Sequence, residues 1–110
     1  TWASGGTVSG ATTLASTAIA QVQNLSLGGG GTCSTAMQNA INGANSRGST
    51  VIVAAGNSNV NASNATPANC SGVVTVAATN HLGGKANYSN FGTVVDVAAP
   101  GGQTSSGTTN

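Results

Sequence analysis

The chain has 110 residues, a formal net charge of +1 and only three charged side chains, Arg47, Lys85 and Asp96. So small a charge gives no electrostatic basis for holding a phosphate backbone, which excludes nucleic acid as a partner. The apolar runs are short and interrupted, well below the roughly 20 residues that span a bilayer, so no membrane partner is expected.

The first elements are a loop, a strand and a helix. Residues 1–20 are rich in Gly, Ser and Thr, which predicts a surface loop in preference to a flexible arm. Residues 21–27 predict a strand that runs into four glycines. Residues 34–47 predict a helix, with Thr32 or Ser34 as its N-cap and Gly48 at its end. Its apolar residues share one face: Ala36, Met37, Ala40, Ile41 and Ala44.

Three further strands are predicted after this helix. Residues 50–56 form a continuous apolar run, which is typical of a strand buried on both faces. Residues 72–79 and 93–99 are β-branched runs of similar length. Strand, helix and strand at these lengths make a right-handed βαβ unit. The predicted fold class is therefore α/β, with a largely parallel sheet and flanking helices.

Two strand exits carry the residues best suited to binding a ligand. Leu27-Gly28-Gly29 and Gly56-Asn57 lie at the ends of the first and second predicted strands. In open α/β sheets, ligands bind beyond the carboxyl ends of the strands, and a βαβ unit sets two such ends side by side. Glycine lets a backbone approach closely, and the Asn57 amide can donate to an arriving oxygen.

The two cysteines, Cys33 and Cys70, lie in polar, turn-rich segments. They lack the close spacing of a zinc knuckle or a redox C-x-x-C pair, so a disulfide is the favoured interpretation and two free buried thiols are the alternative. A disulfide would indicate an oxidising compartment, and hence a secreted or periplasmic protein.

Five blocks in order give the sequence a family resemblance: N-L-S-L-G-G, a helix, V-I-V-A-A-G-N, S-G-V-V-T-V-A-A-T-N and Y-S-N-F-G-T-V-V-D-V-A-A-P-G-G. Together they resemble the central part of a subtilisin-like serine protease of the subtilase family, most closely the secreted, disulfide-containing bacterial members. The resemblance covers residues 21–102 closely and residues 1–20 more loosely. It implies a partial domain of a secreted endopeptidase whose partners are polypeptide substrates or peptide inhibitors.

The resemblance also implies roles for individual residues. Asn57 matches the asparagine that donates to the oxyanion of the tetrahedral intermediate. Ser26, Leu27 and Gly28 match the segment that pairs with the substrate backbone. The wall and floor of the pocket for the side chain before the scissile bond are matched by Ala54, Ala55, Gly56 and Ala65. Thr66-Pro67 matches a peptide bond that is often cis in the family.

A structural calcium site is a further implication. Asp96 matches an aspartate that binds calcium together with main-chain carbonyls, which here would be those of Ser71 and Val73. Hard oxygen ligands of this kind suit calcium. The alternative is an exposed or hydrogen-bonded carboxylate at a strand end.

Residues that the family's chemistry needs have no match in this sequence. The family places its catalytic aspartate and histidine upstream and its serine in a downstream G-T-S-M-A segment. His81 matches a variable surface turn and is not expected to be catalytic. The chain starts without Met and without signal-peptide regions. We therefore expect residues 1–110 to be the central portion of one catalytic domain, inactive without the remainder of that domain.

A different class of function remains open on composition alone. A non-enzymatic secreted module rich in Gly, Asn and Thr, such as an adhesive or ice-binding β-solenoid, would share this composition. Such a module needs a repeat of fixed period, and the glycine pairs that begin at Gly5, Gly28, Gly83 and Gly101 are irregularly spaced.

Overall fold

The structure is a computed structural model that describes residues 1–105 and 108–109. One α-helix, α1, spans Thr35–Ser46. Short 3-10 helices span Trp2–Ser4, Ser16–Ala18 and Ala62–Asn64. The strands are β1 (Val22–Leu25), β2 (Gly29–Gly30), β3 (Thr50–Ala54), β4 (Ala65–Thr66), β5 (Val73–Thr79), β6 (Val97–Pro100), β7 (Thr104–Ser105) and β8 (Thr108–Thr109).

The main sheet has four parallel strands in the order β1-β3-β5-β6. Leu25 lies beside Val53, and Ala54 lies beside Val76, so the strands end at one common edge. Helix α1 connects β1 to β3 in the crossover that a parallel pair requires. The α/β prediction is thereby confirmed. Two small antiparallel pairs, β2 with β4 and β7 with β8, stand apart from the main sheet.

Helix α1 begins and ends at residues that the sequence identifies. The Ser34 hydroxyl accepts a hydrogen bond from the Met37 N–H at 3.1 Å, so Ser34 and not Thr32 is the N-cap. Gly48 follows the C-cap with φ 88°, a left-handed conformation that favours glycine. Ile41 and Ala44 are the buried residues of the predicted apolar face, whereas Ala36, in the first turn, is exposed.

The last strand of the main sheet begins later than the sequence predicts. Gly92 takes φ 119°, and the Val95 N–H donates to its carbonyl at 3.1 Å, which closes a turn. The β-branched residues 93–95 therefore lie outside the sheet, and Asp96 precedes β6 instead of lying inside a strand. The turn-forming glycine overrides the strand propensity of this run.

The main sheet is covered on one face only within the described residues. Val51 and Val53 are 3% and 1% exposed and form the core with Ala44 and Ala68. Ile52, which points to the other face, is only half-buried and lines an open concavity of about 350 Å³. The prediction that residues 50–56 are buried on both faces is therefore wrong for this part of the chain. An alternating apolar face of this kind calls for a covering element.

Residues 1–20 fold as a loop against the end of α1. The Arg47 guanidinium donates to the Ser4 hydroxyl from Nε at 3.0 Å and from Nη2 at 2.9 Å. The Ser49 hydroxyl donates to the Ala20 carbonyl. The favoured loop interpretation thus agrees with the structure. No helix of the described residues has both the length and the apolar character needed to cross a membrane.

Cys33 and Cys70 form the predicted disulfide, with their Cα atoms 5.2 Å apart. It joins the segment before α1 to the segment after β4, so the loop that it closes contains α1, β3 and the exit of β3. The alternative of two free thiols is wrong.

Candidate active site

A pocket of about 400 Å³ opens at the carboxyl ends of β1 and β3. It is lined by all eight residues to which the sequence assigns a catalytic or substrate-binding role: Ser26, Leu27, Gly28, Ala54, Ala55, Gly56, Asn57 and Ala65. They come from three separate segments of the chain. The parallel register of β1 and β3 is what brings the first two segments together.

The third segment is placed by the small antiparallel pair. Gly30 lies opposite Ala65, and Gly29 opposite Thr66, so β4 closes the side of the pocket that faces the glycines. A Cβ added to Gly28 would lie 3.0 Å from the Thr66 carbonyl oxygen, which accounts for glycine at this close approach. The peptide bond between Thr66 and Pro67 is cis, as the sequence resemblance predicts.

Asn57 lies at the mouth of the pocket, three residues after the end of β3. Its side chain is exposed, and its amide makes no hydrogen bond to any other residue that the structure describes. Gly56 before it takes φ 107°, which turns the chain sharply out of the sheet. The Asn57 amide is therefore available as a donor to a group that enters the pocket.

The loop that carries Asn57 is held by a residue to which the sequence analysis assigns no role, Asn90. Asn90 is 2% exposed, and its Oδ1 accepts from the Ser58 N–H at 3.0 Å and from the Val60 N–H at 3.1 Å. Its Nδ2 donates to the Ala55 carbonyl at 2.8 Å. The signal for it was the Y-S-N-F-G block, which contributes to the resemblance but does not show where the asparagine points.

The far side of the same loop is held by a cation. Lys85 Nζ donates to Asn59 Oδ1 at 2.7 Å and to the carbonyls of Ala86 and Ser89 at 3.0 and 3.1 Å. Asn59 has φ 51°, a left-handed conformation that asparagine tolerates better than most residues. The Phe91 ring lies below the ammonium, 5.6 Å from Nζ to the ring centroid, within range of a cation–π contact.

No charged side chain lines the pocket among the residues that the structure describes. Its walls are glycine, alanine and a few neutral polar residues, and Leu27 and Val60 are its exposed large apolar residues. An anion that forms at the mouth would therefore meet N–H donors such as the Asn57 amide instead of a fixed positive charge. A neutral pocket of this kind suits an uncharged, apolar guest.

The residues of the expected calcium site lie away from this pocket, near the amino ends of β5 and β6. Asp96 is exposed, and its Oδ2 accepts from the Thr75 N–H at 2.8 Å. The Ser71 carbonyl accepts from Gln38 Nε2 at 2.9 Å, while Val73 opens β5. The described residues hold no cluster of three or more His, Cys, Asp or Glu. His81 lies exposed in the turn after β5, outside the pocket.

The sequence profile of the Subtilase family matches residues 3–110. An "Extracellular protease" of Xanthomonas campestris pv. campestris is 65% identical over 100 residues, which are 91% of this chain and 17% of that protein. An "Extracellular basic protease" of Dichelobacter nodosus is 42% identical over 100 residues, 91% of this chain and 16% of that protein. The chain thus spans about a sixth of the length of these relatives.

A solved structure of a protease from Pseudoalteromonas arctica has the same fold over this segment. It is 55% identical, has a TM-score of 0.90 and covers 94% of this chain, whereas this chain covers 30% of it. The alternative of a Gly/Asn/Thr-rich solenoid finds no support in these matches or in the α/β sheet.

Proposed function

The chain belongs to the subtilase family, and from that premise we propose that it is the central portion of the catalytic domain of a secreted serine endopeptidase. The observation that supports this most strongly is the unpaired, exposed Asn57 amide at the mouth of a pocket lined by every predicted substrate residue. We propose polypeptide substrates or peptide inhibitors as its partners.

The reaction would be acyl transfer to a serine, with a histidine as general base and acid, and these groups would come from the remainder of the domain. The contribution of residues 1–110 to catalysis would be electrostatic stabilisation of the transition state. When the scissile carbonyl becomes tetrahedral, its oxygen gains negative charge, and the Asn57 amide donates to it. Because Asn57 has no competing hydrogen-bond partner among the described residues, it need not break a bond to do so.

Ser26, Leu27 and Gly28 would hold the substrate backbone. They continue beyond the end of β1 at Leu25 and belong to no strand, so their backbone can pair with an extended peptide. Leu27 is 56% exposed, which is consistent with a side chain that contacts a partner. The peptide would then lead its next side chain into the pocket between Gly28 and Ala54.

The pocket favours a large, uncharged side chain before the scissile bond. Its volume of about 400 Å³ accommodates an aromatic ring, and its lining offers no counter-charge to Lys, Arg, Asp or Glu. Ala65 is the lining residue whose enlargement would shorten the pocket most directly. We expect Ala65→Leu to raise the KM of a substrate with Phe before the scissile bond about 5- to 150-fold relative to that of a substrate with Ala at this position, because overpacking costs about 1–3 kcal/mol.

The test of the proposed function uses the complete protein. Hydrolysis of an apolar peptide substrate is measured for the parent and for Asn57→Ala, with Asn39→Ala as the control. Asn39 is an exposed asparagine on α1, outside the pocket. We expect Asn57→Ala to lower kcat about 10²- to 10³-fold, a magnitude established on a subtilisin, with little change in KM. Unchanged kcat in Asn57→Ala would exclude the proposed role.

We also propose the calcium site at Asp96. The Oδ2 atom of Asp96 accepts a hydrogen bond from the Thr75 N–H, and its Oδ1 atom accepts none from the described residues. The Ser71 carbonyl keeps a second lone pair beside its bond to Gln38. Carboxylate and carbonyl oxygens of this kind, with that of Val73, are the ligands that calcium prefers, and water would supply the others. Calcium should raise the Tm of the parent but not that of Asp96→Asn; equal Tm values with and without calcium would exclude the site.

Two proposals concern the surroundings of the chain. Secretion is supported by the Cys33–Cys70 disulfide, since disulfides persist in oxidising compartments. The remainder of the catalytic domain would cover the open face of the main sheet around Ile52 and Val76. Because the catalytic aspartate, histidine and serine would also come from that remainder, we propose that residues 1–110 alone hydrolyse no peptide, and peptidase activity of the purified chain would refute this.

A further inference from the structure

We infer that Asn90 is a positioning residue that holds the Asn57 amide where the oxyanion forms. This inference rests on the function proposed above, because it needs Asn57 to act as the oxyanion donor. Asn90 lies 33 residues further along the chain, in the segment between β5 and β6.

The loop that carries Asn57 has little structure of its own. Residues 57–60 are all exposed, and none belongs to a strand or helix. Positive φ angles occur at Asn59 within this loop, at 51°, and at Gly56 just before it, at 107°. An oxyanion donor must nevertheless be held within about 0.5 Å of its productive position. The restraint on this loop must therefore come from outside it.

Asn90 supplies that restraint on both sides of Asn57. Before Asn57, the Asn90 Nδ2 donates to the Ala55 carbonyl at 2.8 Å, and the Asn90 N–H donates to the Gly56 carbonyl at 2.9 Å. After Asn57, the Asn90 Oδ1 accepts from the N–H groups of Ser58 and Val60. One buried residue thus bridges the two arms of the turn whose apex is Asn57.

Asn90 is itself fixed to the main sheet. The Ser89 hydroxyl donates to the Asn90 carbonyl at 3.0 Å and accepts from the Ala78 N–H of β5 at 2.9 Å. Ser89 and Asn90 are 1% and 2% exposed, so water does not compete for these bonds. A continuous hydrogen-bonded path therefore runs from a central strand to the turn that presents Asn57.

The side-chain type fits this task closely. An amide both donates and accepts, and here the donor meets a carbonyl while the acceptor meets two N–H groups. A carboxylate could not donate to the Ala55 carbonyl, and an alanine would remove the partner of that buried carbonyl and of the N–H groups of Ser58 and Val60. Gly56 has no Cβ, and a Cβ there would collide with the Asn90 amide. The pair of Gly56 and Asn90 is thus sterically matched.

The test is a double-mutant cycle in the complete protein, with kcat and KM measured on one apolar peptide substrate. The variants are Asn57→Ala, Asn90→Ala and the double variant. Asn45→Ala is the control, because its amide also ties a loop, donating to the Gly72 carbonyl at 2.7 Å, but at the other end of the sheet. Active-site titration gives the folded fraction. If Asn90→Ala does not accumulate as folded protein, Asn90→Asp, which keeps the side-chain shape, goes through the same cycle.

We expect Asn90→Ala to lower kcat per active site roughly 10- to 100-fold with KM nearly unchanged, since a displacement of about 1 Å can cost this much. The double variant should be within about twofold of Asn57→Ala, because Asn90 acts through Asn57. The control should match the parent. Multiplicative effects in the double variant, or an unchanged kcat in the Asn90 variant, would overturn the inference. An unchanged kcat in Asn57→Ala would instead overturn the proposed function.

Discussion

Removal of the Cys33–Cys70 disulfide should destabilise the protein by an amount set by the loop that it closes. The cysteines are 37 residues apart, and the loop contains α1, β3 and the turn that presents Asn57. In the chain-entropy model, a cross-link over a loop of this length lowers the entropy of the unfolded chain enough to stabilise the fold by about 4 kcal/mol at 25 °C. The double variant Cys33→Ala/Cys70→Ala tests this value.

The alanines themselves contribute a smaller loss. Cys33 is half-buried and Cys70 is 7% exposed, so truncation at Cys70 leaves a small cavity. The parent with its disulfide reduced retains both sulfur atoms and therefore isolates the covalent contribution. We expect the reduced parent to lose about 4 kcal/mol and the double variant slightly more.

The assay is urea unfolding of the complete protein, followed by tryptophan fluorescence and circular dichroism, with a serine-directed inhibitor bound in every sample to prevent self-digestion. The free energy of unfolding is extrapolated linearly to water. A loss below about 1 kcal/mol in the reduced parent would refute the reasoning, because it would mean that the unfolded chain is already as restricted as the cross-linked one.

Three further predictions concern single contacts. Ser34→Ala removes the cap of α1 and should cost about 1 kcal/mol in unfolding free energy, whereas Ser46→Ala in the last turn should cost much less. Gly56→Ala would place an alanine at a positive φ and bring its Cβ into collision with the Asn90 amide. It should therefore lower the Tm more than Gly48→Ala, where φ is also positive but no atom lies within 4 Å of an added Cβ. Lys85→Met removes the three hydrogen bonds that the Lys85 ammonium donates. It should accelerate hydrogen exchange of the Asn59 amide, which donates to the Tyr88 carbonyl, and leave exchange in α1 unchanged.

Sequence patterns predict the central βαβ unit because local and tertiary preferences agree there. The apolar spacing of α1, its Ser34 cap and the β-branched runs of β3 and β5 all favour the elements that form. The strand predicted at residues 93–99 is correct only from Val97 onward, because Gly92 forms a turn that strand propensity does not reveal. Burial on the second face of β3 was also mispredicted, since a sequence shows that a face is apolar but not what covers it.

The residues of the candidate site also fall into two groups, those that the sequence predicts and those that it does not. The resemblance predicts the eight pocket residues, and the structure gathers all of them around one pocket. Asn90 and Lys85 could not be assigned, because their contacts join segments about 30 residues apart and depend on where one amide and one ammonium point. Sequence motifs thus predict the residues that line the pocket more readily than the residues that hold them in place.

The order of the main sheet, β1-β3-β5-β6, follows the order of the strands along the chain. A polypeptide that emerges N-terminus first from a ribosome therefore presents β3, β5 and β6 each after the described strand that precedes it in the sheet. Among the strands that the structure describes in this sheet, none has to be inserted between two that are already paired. The described strands can thus be added one after another at a single edge, first β3 beside β1, then β5 and then β6. Each pairing closes only the loop between two successive strands of this sheet, so the chain need not wait for distant segments to be synthesised.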